Sequence, residues 1–222
     1  HTIVSPIPAL AAVDVIDYPF AELSVISFKN VHIKVYNNKK IAENKDDLLL
    51  THMNFSGPAI LNLSRYIKPG FTLNISFTSL SQQKFTDHFK KALHDHGKKT
   101  IKTILMTFNL KERFIITILK TLNIDEHILG SQLKKQHRNA IIAIITNYSC
   151  KVKQLADIHK AMVTAGGISL KEINQKTMES KIIPKLYFCG EVLDIDGDTG
   201  GYNLQAAFSM AFTCAQSIFK IL

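Results

Sequence analysis

Residues 186–205 read LYFCGEVLDIDGDTGGYNLQ, and this stretch decides the fold class. A short apolar segment runs into Gly190-Glu191, three aspartates follow at positions 194, 196 and 198, and Thr199-Gly200-Gly201 leads into an apolar helical stretch. Glycines at the start of a helix let a ligand approach the backbone, where unpaired N–H groups and the helix dipole favour an anion. A carboxylate after a strand accepts hydrogen bonds from vicinal hydroxyls. The order of strand, acid, Thr-Gly-Gly and helix therefore predicts a dinucleotide or flavin site.

Residues 1–80 show the alternation that is typical of β-strands. Val31, Ile33 and Val35 alternate with polar residues, a period of two. Asn37-Asn38 then supplies a turn, because asparagine tolerates positive φ. Further strands are predicted at residues 71–77, 141–145 and 158–163, and after Pro184 within residues 182–189.

Residues 81–138 change to the spacing of helices. Phe85, Phe89 and Leu93 lie at i, i+4 and i+8, which predicts an amphipathic helix. Similar stripes predict a second helix over residues 101–108 and a third that Asn109 caps. The final helix, from about residue 203 to 219, is apolar on nearly every side, and this pattern predicts that it is buried.

The positive charge is concentrated in the helical region. The 222 residues carry 27 Lys+Arg and 18 Asp+Glu, a net charge of +9. Residues 81–138 hold 12 Lys+Arg and 5 Asp+Glu, so +7 of the charge lies there. The lysines are typical of a solvated helical face, and binding of a nucleic acid through this basic insert is the alternative.

Several classes of protein are excluded by the sequence. Three cysteines are too few for a disulfide scaffold. No secretory signal and no apolar run of membrane-spanning length are visible, so we expect a cytoplasmic protein with no membrane partner. The aspartates at 194, 196 and 198 resemble the start of a calcium loop, but Thr199 and Gln205 replace the required Gly and Glu, so we expect no metal.

Several motifs, in order along the chain, resemble the HI0933-like, or YhiN-like, flavoproteins. They are residues 1–10 (HTIVSPIPAL), 50–61 (LTHMNFSGPAIL), 163–170 (VTAGGISL), 177–181 (TMESK) and 186–205. The resemblance spans essentially the whole chain. It implies an FAD-dependent oxidoreductase, described as an NAD(FAD)-utilising dehydrogenase or aminoacetone-oxidase-like enzyme, with NAD(P)H as a candidate electron donor.

The implied fold is a multi-part α+β architecture with three regions. Residues 1–80 and 139–165 form a β-rich, barrel-like insert domain, and residues 81–138 form a helical subdomain. Residues 166–222 form the C-terminal strand–loop–helix piece of a Rossmann-like FAD domain. The resemblance also implies the residues that bind the cofactor, which are Thr164, Ala165, Gly166, Gly167, Gly190, Glu191, Asp198, Thr199, Gly200, Gly201, Tyr202 and Asn203. Among them, Glu191 is expected to meet the ribityl chain.

One departure from the family is large. The family begins with a G-x-G-x-x-G fingerprint for the FAD pyrophosphate, and no such motif occurs in this chain, which begins at His1. We therefore expect the N-terminal FAD-binding half to be missing and the chain alone to be inactive. A cut-out domain, a split or decayed gene, and a remainder on another chain all explain this. The alternatives in function are a basic nucleic-acid-binding module and an inactive remnant.

Overall fold

The computed structural model describes residues 1–23 and 25–220 of this α+β protein. The strands are β1 (Ile3–Ala9), β2 (Val13–Val15), β3 (Ile26–Asn37), β4 (Lys39–Leu50), β5 (Phe55–Ser56), β6 (Thr72–Ser76), β7 (Tyr148–Leu155) and β8 (Val163–Ile168). The α-helices are α1 (Pro58–Leu61), α2 (Gln82–Asp95), α3 (Ile101–Met106), α4 (Glu112–Thr121), α5 (Lys135–Asn147) and α6 (Tyr202–Phe219).

The chain divides into two compact units. The first, called here the cavity unit, contains the described residues of His1–Ala12, Ile60–Arg65 and Leu155–Leu222. The second, the barrel unit, contains those of Val13–Ala59 and Tyr66–Gln154. The chain passes between the units several times, so neither unit is a single continuous segment.

Six strands of the barrel unit form a closed barrel in the order β2-β5-β4-β3-β6-β7. Val31, Ile33 and Val35 point inward and are fully buried, as their alternation predicts. Asn38 has a φ of 61°, which confirms the turn between β3 and β4. Closure removes the free strand edges that an open sheet would expose.

Helices α2 to α5 belong to the barrel unit and share its core. Phe114 of α4 contacts Phe28 and Phe77 of the barrel side, with ring centroids 4.7 Å apart in each pair. The predicted helices after residue 81 are confirmed, although Lys111 rather than Asn109 precedes the first turn of α4. Asn109 instead adopts a φ of 58° in the preceding turn.

The strand predicted at residues 141–145 is wrong. These residues lie in α5, where Ile141, Ile142 and Ile145 form its buried face. A short apolar run does not distinguish a buried strand from one face of a helix. The helical segment therefore extends to Asn147, beyond the predicted boundary at residue 138.

The cavity unit is built on a two-stranded antiparallel pair. β1 pairs with β8, so that Ile3 lies opposite Ile168 and Ala9 opposite Val163. A small core forms around Ile168, Ile173 and Leu193, and Met210 of α6 packs against it. This contact fixes α6 next to the loop that precedes it.

Two further strand predictions in this unit differ from the structure. Residues 182–189 form no strand, and one isolated bridge joins Glu179 to Tyr187. Lys185, directly after Pro184, has a φ of 66°, which lies outside the extended region that a strand requires. Of residues 158–163, Val163 alone belongs to a strand.

The prediction that the final helix is buried is also wrong. No described residue of α6 is buried within this chain. Leu204, Phe208 and Phe212, spaced four residues apart on one side, are 66%, 69% and 67% exposed. Because such a run of large apolar side chains is uncommon on a free surface, this face is typical of an interface.

Candidate cofactor site

A cavity of about 550 Å³ lies at the start of α6, within the cavity unit. Its walls are Leu10, Met162, Val163, Gly190, Glu191, residues 195–204, Ala206, Ala207 and Met210. The volume falls in the range of about 300–1,000 Å³ that is typical of small-molecule and cofactor pockets. The loop after Gly190 forms one wall and the first turns of α6 form another.

An arginine from a distant segment holds the acidic loop of this cavity. Arg65 lies 3.1 Å from a carboxylate oxygen of Asp196 and 3.0 Å from one of Asp198. The side chains of Arg65 and Asp196 are only 21% and 17% exposed, whereas that of Asp198 is 58% exposed. Both aspartates are therefore paired with the guanidinium group of Arg65.

Two asparagines fix the remainder of the loop. The backbone N–H of Thr199 donates to Oδ1 of Asn62 over 2.8 Å. Asn203 receives a hydrogen bond of 2.7 Å from the N–H of Gly197 and donates one of 3.0 Å to its carbonyl. The loop therefore has a defined shape before any ligand enters.

The N-terminus of α6 is open to the cavity. Gly201, with a φ of 88°, precedes the helix, and no side chain caps it in the described part of the chain. No described backbone carbonyl accepts a hydrogen bond from the N–H groups of Tyr202, Asn203 or Leu204. These donors and the positive end of the helix dipole remain available to an electronegative group of a ligand.

Eight of the twelve residues predicted from the resemblance line this cavity. They are Gly190, Glu191, Asp198, Thr199, Gly200, Gly201, Tyr202 and Asn203. The loop, the glycines and the helix start thus come together as residues 186–205 predict.

The other four, Thr164, Ala165, Gly166 and Gly167, lie on β8 beside the cavity lining. A Cβ on Gly166 would collide with the backbone of Ser5, and one on Gly167 with the carbonyl of Val192. These two glycines allow close backbone packing. Thr164 has a direct link to the site, because its N–H donates to Glu191 over 2.6 Å. One oxygen of the Glu191 carboxylate is therefore already engaged.

Sequence reasoning missed Asn62 and Arg65. Both follow the segment FSGPAIL, which the resemblance covers, but neither was assigned a role. The rarity of arginine was the available signal, since the chain has only Arg65, Arg113 and Arg138. Within residues 1–23 and 25–220, no group of three His, Cys, Asp or Glu side chains is placed to hold a metal ion.

Comparison with known proteins bears on the identity of this site. Residues 103–217, just over half of the chain, match the family described as HI0933-like protein Rossmann domain. The chain is 33% identical to the ribosomal RNA dihydrouridine synthase of Escherichia coli (strain K12) over 175 residues, which cover 78% of the chain and 42% of that protein. The chain belongs to the HI0933-like family.

Two other relatives extend this comparison of the HI0933-like chain. The ribosomal RNA dihydrouridine synthase of Haemophilus influenzae is 35% identical over 79% of the chain and 43% of its own length. The 3-dehydro-bile acid delta(4,6)-reductase of Clostridium scindens is 24% identical over 98% of the chain and 54% of its own length. The chain spans about half the length of the curated relatives it matches.

Among the helices of the described residues, none is both long enough and apolar enough to cross a bilayer.

Proposed function

We propose that this HI0933-like chain is part of an FAD-dependent oxidoreductase and that the cavity at the start of α6 receives the flavin. The observation that carries the proposal is the open N-terminus of α6, where Gly200 and Gly201 bring free N–H donors to the wall of a cavity of about 550 Å³. The family match supports a flavin cofactor.

The lining of the cavity fits a flavin ring. Ala206, Ala207 and Met210 supply an apolar wall, and the first turn of α6 supplies N–H donors. A Cβ placed on Gly190 or Gly201 would meet no atom within 4 Å, so both positions leave room for a ligand. A planar group with an apolar face and a carbonyl edge is complementary to these walls.

FAD, when bound, supplies hydride transfer. The residues of this chain would orient the ring and stabilise negative charge on its carbonyl edge through the N–H groups of Tyr202 and Asn203. Arg65 would act as a positioning residue, because it holds Asp196 and Asp198 rather than facing the cavity. The free oxygen of Glu191 would accept a hydrogen bond from a hydroxyl of the cofactor.

The exposed face of α6 supports a further part of the proposal. Leu204, Phe208 and Phe212 present a continuous apolar face, and the curated relatives are about twice as long as this chain. We therefore propose that the partner of this face is a region that carries the pyrophosphate-binding half of the FAD domain, on the same chain or on another. NAD(P)H is the proposed electron donor.

The relatives indicate the class of substrate. Dihydrouridine is a uridine with two additional hydrogens, so the names of all three relatives describe a reduction. The two relatives above 30% identity are named for ribosomal RNA, and the one at 24% for a bile acid. We propose reduction of a uracil base in ribosomal RNA, with a small conjugated carbonyl compound as the second candidate.

The test is a deletion of the gene that encodes this chain, followed by mass spectrometry of nucleosides from ribosomal RNA. The proposal expects a loss of dihydrouridine that the wild-type gene restores. A gene with Ala207→Phe, which places a ring in the cavity, should not restore it. Unchanged dihydrouridine in the deletion strain would refute the RNA substrate, and reduction of a small conjugated carbonyl compound by the purified protein would then favour the second candidate.

A further inference from the structure

A polar groove lies on the outer surface of the barrel unit, away from its apolar interior. Its volume is about 560 Å³, and its floor is formed by outward side chains of the adjacent strands β4, β3 and β6. Residues 78–82, which lead into α2, form a rim together with the last residues of α5. No Asp or Glu is among its lining residues.

Two lysines lie on the floor of the groove, and the register of the strands sets their spacing. His32 lies opposite Lys45 on one side and Ser76 on the other, and Lys34 lies opposite Asn74. Lys34 and Lys45 are therefore diagonal neighbours across two paired strands, which places them about 7–8 Å apart at the backbone. This separation is comparable with that of neighbouring phosphates along an extended nucleic-acid strand.

None of the ion pairs formed by the described residues includes Lys34 or Lys45. Glu43 lies directly opposite Lys34 on β4, but its carboxylate is engaged by Lys40 at 2.7 Å and His32 at 3.0 Å. The hydrogen bond with Lys40, and to a smaller extent the one with His32, holds the pKa of the Glu43 carboxyl below its usual range. The positive charge of the groove is thus not neutralised from within.

The rest of the lining supplies the other groups that a nucleotide strand uses. Tyr36 is a partly exposed aromatic ring on which a base can stack. Asn30, Asn74 and Ser76 offer both donors and acceptors for ribose hydroxyls and base edges. A groove that combines cations, an aromatic ring and amides, without acidic residues, is typical of single-strand binding.

We propose that this groove binds the sugar–phosphate backbone of a single RNA strand. The inference rests on the proposed function, because it assigns a barrel surface to the RNA substrate. It also differs from the alternative in which the lysine-rich segment 81–138 binds the nucleic acid. In that segment Lys102 is already paired with Glu112 and Glu126.

The test measures binding of a fluorescent single-stranded RNA to the natural protein that contains this chain, over a series of salt concentrations. Lys34→Gln/Lys45→Gln should weaken binding roughly tenfold near physiological salt and lower the salt slope by about 1.4, since each phosphate contact contributes about 0.7. Tyr36→Leu should weaken binding roughly fivefold with an unchanged salt slope, because stacking involves no counterions.

The matched control is Lys98→Gln/Lys99→Gln, which removes the same charge from two exposed lysines outside the groove. The proposal expects this variant to bind RNA as the wild type does. An equal loss of RNA affinity in both double variants, or a loss in the control alone, would refute RNA binding by the groove. Binding of poly-glutamate with the same dependence on Lys34 and Lys45 would refute RNA as the ligand of the groove and indicate an acidic protein partner.

Measuring the dihydrouridine content of ribosomal RNA distinguishes a failure of the groove proposal from a failure of the proposed function. If Lys34→Gln/Lys45→Gln binds RNA and forms dihydrouridine normally, RNA binding by the groove is refuted and the proposed function is unaffected. A wild-type protein that forms no dihydrouridine would refute the proposed function. If that protein still binds RNA with the expected dependence on Lys34 and Lys45, the groove itself is supported.

Discussion

Replacing Arg65 with methionine should loosen the loop that encloses the cavity. Met retains much of the apolar length of the side chain but loses the contacts with Asp196 and Asp198, at 3.1 and 3.0 Å. Asp196, 17% exposed, would be left without its cation, whereas Asp198, 58% exposed, would turn to solvent. Leaving the mostly buried Asp196 carboxylate without its cation costs about 2 kcal/mol, and losing the exposed contact with Asp198 costs less than about 1 kcal/mol.

We expect this loss to appear mainly as weaker flavin binding. If about 2 kcal/mol is lost from the shaped loop, the dissociation constant of the flavin rises roughly 30-fold. Titration of the deflavinated natural protein with FAD, followed by quenching of flavin fluorescence, measures this change. Arg113→Met, in the barrel unit, is the matched control and should leave the affinity unchanged. Equal affinities for the Arg65→Met and wild-type proteins would refute the positioning role of Arg65.

Three other predictions concern packing and reactivity. Gly167→Ala should lower the free energy of unfolding in urea by at least about 2 kcal/mol. The φ of 127° at Gly167 disfavours a side chain, and the added Cβ would collide with the Val192 carbonyl. An unchanged free energy of unfolding would contradict the close packing at this position. Phe208→Ser/Phe212→Ser should leave the stability of this chain nearly unchanged but destabilise a protein or complex that includes the proposed covering region by about 3 kcal/mol per ring. Two thirds of each ring would be newly covered there. Equal effects with and without that region would argue against it. Burial raises the pKa of the Cys150 thiol to about 12. At pH 8 a thiol reagent should therefore label the exposed Cys189 and react with Cys150 only after unfolding. Rapid labelling of Cys150 in the native Cys189→Ser protein would contradict the burial of Cys150.

The sequence predicts the elements whose pattern is local. The alternation around Val31 and the Asn37-Asn38 turn indicate the β3–β4 hairpin, and the spacing of Phe85 and Phe89 indicates α2. Each of these signals lies within a few residues of the chain and matches one period. The structure confirms both elements.

The remaining features depend on contacts between distant residues. Residues 141–145 are an apolar run whose helical state is set by packing of α5 against neighbouring elements. Arg65 and Asn62 reach the cavity loop from more than a hundred residues away in sequence. No local period records such contacts, which is why residues 186–205 indicated the site while its supporting residues were missed.

The flavin content of the purified natural protein tests whether the cavity at the start of α6 holds the flavin, as we propose. The measurement is the ratio of bound flavin to protein for the wild type and for Ala207→Phe, which fills the cavity from its apolar wall. We predict one flavin per wild-type chain and almost none in the variant, with the same circular dichroism spectrum for both proteins. Full flavin content in a folded Ala207→Phe protein, or a wild type that binds no flavin on reconstitution, would contradict it.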